Sequence, residues 1–366
     1  MLVAPDLPIG THVGTDTPAV LHARRLNRHT FWCGQSGSGK TYALGVLLEQ
    51  VLLHTRLPVV VLDPNSDFVH LAEPREDAPI EVSAELSKRH IRVLGDSAED
   101  DSAESDRLRV SFVDLDVRTR AAVLQLDPVL DAEEFNILVR LSQHNLSEVD
   151  GPLLEWLRKA SDPSFERIAV RLENLGILEW DFWAYGKEDV TEVIEKRADA
   201  TVVDLGHFDT AAQMQTAALA VLDRLWARRH ERLGRLVVID EAHNLCSPDA
   251  ATPLERLLTE RIVQIAAEGR KYGIWLLLST QRPSKMHANV ISQCDNLALM
   301  RMSSSDDLAD IAKIFGYSPA ELVQQATGFR QGQALFAGSF SPDPQLVQMR
   351  ERVTREGGSD VAVPLR

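Results

Sequence analysis

Four residues of this chain have types and settings that could do chemistry together: Lys40, Asp240, Glu241 and Gln281. Lys40 closes the run Gly34-Gln35-Ser36-Gly37-Ser38-Gly39-Lys40-Thr41, which fits the phosphate-loop pattern of Gly, any four residues, then Gly-Lys-Ser/Thr. The glycines let the backbone curl so that successive N–H groups face phosphate oxygens. Lys40 would reach the β- and γ-phosphates of a bound nucleotide, and Thr41 would set its hydroxyl on Mg²⁺. A Gly/Ser turn with an incidental lysine could share this composition. The setting argues otherwise, because His29 to Cys33 reads as a short buried strand and Tyr42 to His54 as a helix. That helix turns the positive end of its dipole toward the phosphates, and Tyr42 at its start is a further candidate nucleotide contact.

The second acidic motif follows the apolar strand Arg235-Leu236-Val237-Val238-Ile239, which ends in Asp240-Glu241. Paired with the loop at Gly34–Thr41, these residues read as the other half of a phosphate-loop ATPase. Asp240 would orient Mg²⁺ through its water shell, and Glu241 would polarise the attacking water. Gln281 ends the next strand, Gly273 to Ser279 followed by Thr280, where an amide can touch both the γ-phosphate and that water. Asp63 ends the run Leu57 to Leu62. Carboxylates at the C-terminal ends of parallel strands lie on the ligand side, so Asp63 could hold a water or the metal. A turn cap is an equal alternative, since Asp-Pro commonly starts turns.

These elements must be positioned by a fold, and the apolar runs at 57–62, 200–205, 235–239 and 273–279 are those of strands buried on both faces of a parallel sheet. The expected class is α/β, a P-loop domain with a mainly parallel central sheet and a helical insertion. Residues 1–28 read as a short β-hairpin extension, 29–94 and 200–340 as the ATPase core, 95–199 as an acidic loop and helical insertion, and 341–366 as a C-terminal tail, polar and frayed from Arg350 on. Arg107 to Leu115 alternates like a strand. Trp180, Trp183 and Tyr185 fit core packing better than a recognition patch.

The composition, 44% hydrophobic and 25% charged over 366 residues, is that of a globular protein. With no membrane-length apolar run and no signal-like N-terminus, a cytoplasmic location is expected. The three cysteines, Cys33, Cys246 and Cys294, lack metal spacing. A net charge of −15 argues against a broad nucleic-acid-binding face. Six of the acids lie between Gly95 and Asp106 without a basic residue, a run that reads as a solvated loop. A DNA contact would therefore be a local basic ring, with Lys285 in the stretch Arg282 to Asn289 as one candidate.

Several strings coincide with one family. They are Arg28-His29, Asp63-Pro64, Asp240-Glu241-Ala242-His243-Asn244-Leu245, Glu268-Gly269-Arg270-Lys271-Tyr272-Gly273, Ser279-Thr280-Gln281-Arg282-Pro283-Ser284 and Val290-Ile291-Ser292-Gln293-Cys294. In this order they resemble the HerA branch of the HerA/FtsK ATPases, over about residues 9–338. The resemblance implies a RecA-like fold for the P-loop domain, ATP and Mg²⁺ as ligands, a hexameric homo-oligomeric ring that moves double-stranded DNA, and a partner nuclease or other effector. It adds Arg28 to the candidate nucleotide contacts and matches Arg270 to an arginine finger acting on the neighbouring subunit. Chain order agrees. The helix after Glu241 must run back across the sheet, so Arg270 at its end should lie far from its own γ-phosphate. Only about 28 residues precede the first ATPase strand, where the family carries a β-barrel; this favours the alternative of a regulatory or scaffolding ATPase. The Asp-Glu-Ala-His string could also suggest a two-lobed helicase, but the chain after His243 is consumed completing one sheet.

Overall fold

The computed structural model describes residues 6–96, 106–144 and 153–358. Among these residues there are eleven strands: β1 (Asp6–His12), β2 (Pro18–His22), β3 (Thr30–Cys33), β4 (Val59–Asp63), β5 (Ile91–Leu94), β6 (Ala200–Asp204), β7 (Arg235–Ile239), β8 (Ile274–Thr280), β9 (Asn296–Met300), β10 (Gln333–Gly338) and β11 (Gln345–Met349). They form one sheet in the order β2-β1-β11-β10-β9-β3-β8-β7-β4-β6-β5. From β9 to β5 every neighbouring pair is parallel, and from β2 to β9 every pair is antiparallel. The parallel strands other than the edge strand β5 are buried on both faces, and alternate side chains enter two cores. Phe31, Val60, Leu62, Val237 and Ile239 face one core. Trp32, Val59, Val61, Leu236 and Val238 face the other. This is the period-2 alternation of a strand sandwiched between helical layers.

The helices are α1 (Lys40–His54), α2 (Ile80–Leu86), α3 (Val117–Val123), α4 (Ala132–Leu141), α5 (Leu153–Lys159), α6 (Phe165–Asn174), α7 (Val190–Glu195), α8 (Ala211–Ala227), α9 (Pro253–Glu268), α10 (Ala288–Ile291), α11 (Ser305–Ile314) and α12 (Ala320–Gln324). Local signals fix the long ones. Thr210 with Gln213 and Thr252 with Glu255 form capping boxes at the starts of α8 and α9, and Pro253 occupies the first turn of α9. Helices α3 to α7 form the insertion, which packs on α8 and α9 through the first core. Trp180 stacks on Phe182 and Trp183 with ring centroids 5.6 Å apart in each case, and Trp183 donates its indole N–H to Ile177 O at 2.6 Å. These tryptophans are packing residues, while Tyr185 is exposed.

Three sequence expectations change. Arg107 to Leu115 makes single bridges, Arg107 to Gly95 and Val110 to Trp183, rather than a strand. Its backbone is committed to the insertion, with Val110 N–H on Phe182 O and Ala184 N–H on Val110 O. Residues 341–358 are not a tail, because β11 fills the sheet between β1 and β10. Nor are 350–358 frayed. Glu49 of α1 is fully buried and accepts from Val353 N, Thr354 N and Thr354 Oγ1 at 2.6–2.9 Å, and Arg352 is buried beside it. The acidic stretch 97–105, the Gly151-Pro152 break and residues 359–366 lie outside the described residues.

Glu49→Ala should destabilise the fold by about 3 kcal/mol or more, since three buried donors lose their acceptor. Denaturant unfolding measures this; a loss below about 1 kcal/mol would mean that the segment is not anchored there.

Candidate nucleotide site

Sheet topology gathers the candidate residues. Strands β3, β8, β7 and β4 are neighbours and run the same way, so their C-terminal ends deliver the phosphate loop, Gln281, Asp240-Glu241 and Asp63 to one edge. The loop curls through Gly37 (φ 72°) and Gly39 (φ 87°). Gly34 has no room for a side chain, since a Cβ there would lie 2.8 Å from both Met300 Cβ and Ser38 Oγ. Gln35, Ser36, Gly37, Gly39, Lys40, Thr41 and Tyr42 line a cleft of about 700 Å³ with Asp67 and Gln281.

Lys40 is buried. Its Nζ donates to Asp240 Oδ1 and Ser279 Oγ, both at 2.8 Å, and lies 3.1 Å from Glu241 Oε1. Burial opposes its charge, but the Asp240 and Glu241 carboxylates outweigh burial and hold its pKa above the ordinary value. Gln281 Nε2 donates to Glu241 Oε1 at 2.7 Å. His243 Nδ1 lies 3.3 Å from Glu241 Oε2 and 3.1 Å from Thr280 Oγ1. Glu241 adopts a left-handed backbone (φ 41°), uncommon for a residue with a side chain. Such strain clusters at functional positions.

The residues present fit a divalent cation. Asp63, Asp67 and Asp240 can bring carboxylate oxygens within 4.8 Å of one another. Asp240 Oδ2 is buried with no hydrogen-bond partner among the described residues. Thr41 Oγ1 is 3.5 Å from Asp67 Oδ2. Burial lifts Asp67 to a pKa of about 6 and Asp63 to about 7, values that a cation would lower. Asp63 also caps the following turn, accepting from Asp67 N at 3.0 Å and Phe68 N at 2.7 Å, so both sequence readings of this residue find support in its geometry.

Two candidates sit elsewhere. Arg270 precedes β8, and Thr280 at the other end of that strand pairs with Cys33 beside the phosphate loop. Seven residues of strand put Arg270 about 23 Å away, where it pairs with Asp295. Arg28, expected at the nucleotide, instead lies on the Arg270 side, its Nε 3.7 Å from the same Asp295 oxygen. It precedes β3, whereas the phosphate loop follows it. The adjacent His29 is buried and accepts from Leu276 N, which fixes β3 against β8. Tyr42 lines the cleft, but its hydroxyl accepts from Arg352 N at 2.7 Å.

Sequence reasoning missed Asp67, Ser279 and the cleft wall formed by Gln331, Gly332 and Gln348 to Glu351. Asp67 had one signal, a second acid in the run that follows Asp63; the wall had none.

A mainly parallel sheet with a phosphate loop and paired acids at the C-terminal strand ends defines a RecA-like P-loop ATPase, an ATP-hydrolysing enzyme. Within this class the chain is similar to HerA proteins. Residues 7–143 match the family model described as Helicase HerA, central domain. The chain is 21% identical to the DNA double-strand break repair helicase HerA of Sulfolobus acidocaldarius, over 98% of this chain and 72% of that protein. It is 24% identical to the HerA of Sulfurisphaera tokodaii, over 96% and 70%. Among solved structures, VirB4 of Thermoanaerobacter pseudethanolicus shares the fold, with a TM-score of 0.61 and 15% identity over 94% of this chain and 96% of that one. No helix among the described residues is long and apolar enough to cross a membrane.

Proposed function

We propose that this ATPase works as a homo-oligomeric ring, hexameric by the HerA resemblance, and couples hydrolysis to movement along double-stranded DNA. The observation that carries the ring is the separation of Arg270 from the other candidates. Lys40, Asp240, Glu241 and Gln281 converge at one edge of the sheet, while Arg270 stands at the opposite edge. A head-to-tail contact between subunits would complete the site. The relatives named as DNA repair helicases support DNA as the track.

In this reading Lys40 holds the carboxylates of Asp240 and Glu241 before ATP binds. The β- and γ-phosphates then compete for its ammonium, and Glu241 is released to orient and deprotonate the attacking water, with Gln281 and His243 still in reach. Thr41 and Asp240 would hold Mg²⁺, with Asp67 alongside; bound there, the ion offsets charge on the β/γ-phosphates. Asp295 holds Arg270 until a neighbouring γ-phosphate draws it across the interface.

The exposed stretch after Gln281 is the candidate DNA contact, with Arg282 and Lys285 facing solvent. Lys285→Ala should reduce duplex-stimulated ATPase and lower the salt slope of stimulation by about one, with basal turnover unchanged. An unchanged slope would remove Lys285. The net charge of −15 favours a second reading, in which the ring organises a nuclease or other effector and hydrolysis resets a switch. ATPase assayed with and without duplex DNA, together with roadblock displacement, separates the two. Activity indifferent to DNA would contradict translocation.

A further inference from the structure

The phosphate loop forms only part of the cleft wall. Gln331, Gly332, Gln348, Met349, Arg350 and Glu351 also line it, and of these only Arg350 is a cation. This wall abuts the phosphate loop directly. Gly332 N donates to Ser38 O at 3.0 Å, and a Cβ on Gly39 would sit 3.3 Å from Gly332 N. Met349 N in turn donates to Gly332 O at 2.9 Å, and Gln348 Nε2 to the same oxygen at 3.3 Å.

The chain then continues through Arg350 and Glu351, which also line the cleft, as a strap that is tied down along its length. Arg350 N donates to Ile9 O, and Arg352 N donates to the hydroxyl of Tyr42, the residue after Thr41. Val353 and Thr354 are held by buried Glu49, and Gly357 N donates to Asp67 O in the acidic turn at the other side of α1. The strap is therefore tied to β1, to the phosphate-loop helix and to the acidic turn, and Val353 lies 304 residues in the chain from Glu49 of that helix.

We infer that the segment Gln348–Met349, with Gln331, is the nucleoside-binding wall of the site and that the strap to Gly357 holds it in place. The inference rests on the cleft being the nucleotide site. The chemistry suits a base and ribose. Met349 supplies an adaptable apolar surface. The Gln331 and Gln348 amides each carry donors and acceptors for a base edge or ribose hydroxyl. The phosphates remain with Gly34 to Thr41, so the two ends of the ligand are bound by separate parts of the chain.

Binding of MgATP and of magnesium tripolyphosphate, measured by calorimetry on the full chain, tests the division. The variants are Met349→Ala and the doubly substituted Gln331→Ala/Gln348→Ala, the latter removing partly exposed side chains and leaving the core intact. Each should weaken ATP roughly tenfold while tripolyphosphate binds as to the wild type. Unchanged ATP affinity in the double variant, or an equal loss for both ligands, would overturn the wall. Lys40→Ala reports on the underlying reading independently: it should abolish tripolyphosphate binding, and retained binding would mean that the cleft is not the phosphate site.

Discussion

Arg270→Ala should lower ATP turnover about 10³–10⁵-fold, the range by which arginine fingers accelerate phosphoryl transfer, with ATP affinity in the cleft of the same subunit nearly unchanged. The alternative role for Arg270 is structural. It sits in the short helical turn after α9, where a cation complements the helix dipole for about 0.3–1 kcal/mol, and it pairs with Asp295 at a site one-third exposed, where such pairs contribute about 0–1 kcal/mol. Neither role reaches the chemistry. The structure supplies a control. If the ion pair were the whole function of Arg270, Asp295→Ala would match Arg270→Ala. If Arg270 is a finger and Asp295 only holds it at rest, Asp295→Ala should keep most of the wild-type turnover. Steady-state ATPase of both variants at saturating ATP decides between them.

Glu241→Gln should bind ATP as the wild type does and turn it over about 10²–10⁴-fold more slowly. The amide fills the same space and can still meet Gln281 and Lys40, but it cannot accept a proton from water. The geometry singles out Glu241 over Asp240. Asp240 turns one oxygen to Lys40 and leaves the other buried without a hydrogen-bond partner among the described residues, beside Asp63 and Asp67, as a metal-facing group would. Glu241 is held by Gln281 and lies near His243, two groups able to orient a water-activating carboxylate. Lys40→Ala should fail at the earlier step, losing nearly all nucleotide binding, because it removes the charge on the β/γ-phosphates. Near-normal turnover by Glu241→Gln would withdraw its assignment as the base.

Much of this site was legible in the sequence because its signals are local. The phosphate loop announces itself through glycine spacing and through the strand and helix on either side. Val59 to Leu62 and Leu236 to Ile239 are continuous apolar runs because both faces of the sheet are covered, and the acids that follow them stand out for that reason. Arg28 was misread because proximity in sequence to the loop is not proximity in space; β3 intervenes and carries the two to opposite edges. The strap was illegible for a different reason. Gln345–Met349 is short and follows Pro342 and Pro344, and Arg350 to Glu356 reads as solvated charge. What fixes Val353 and Thr354 is Glu49, a partner 305 residues from Thr354 that no local pattern can announce.

The most direct test of a site shared between subunits mixes two inactive proteins, Lys40→Ala and Arg270→Ala, under conditions where subunits exchange. Some interfaces in mixed rings would then set an intact phosphate loop against an intact Arg270, and ATPase activity should return in proportion to them. Mixed rings that form and stay inactive would contradict the account.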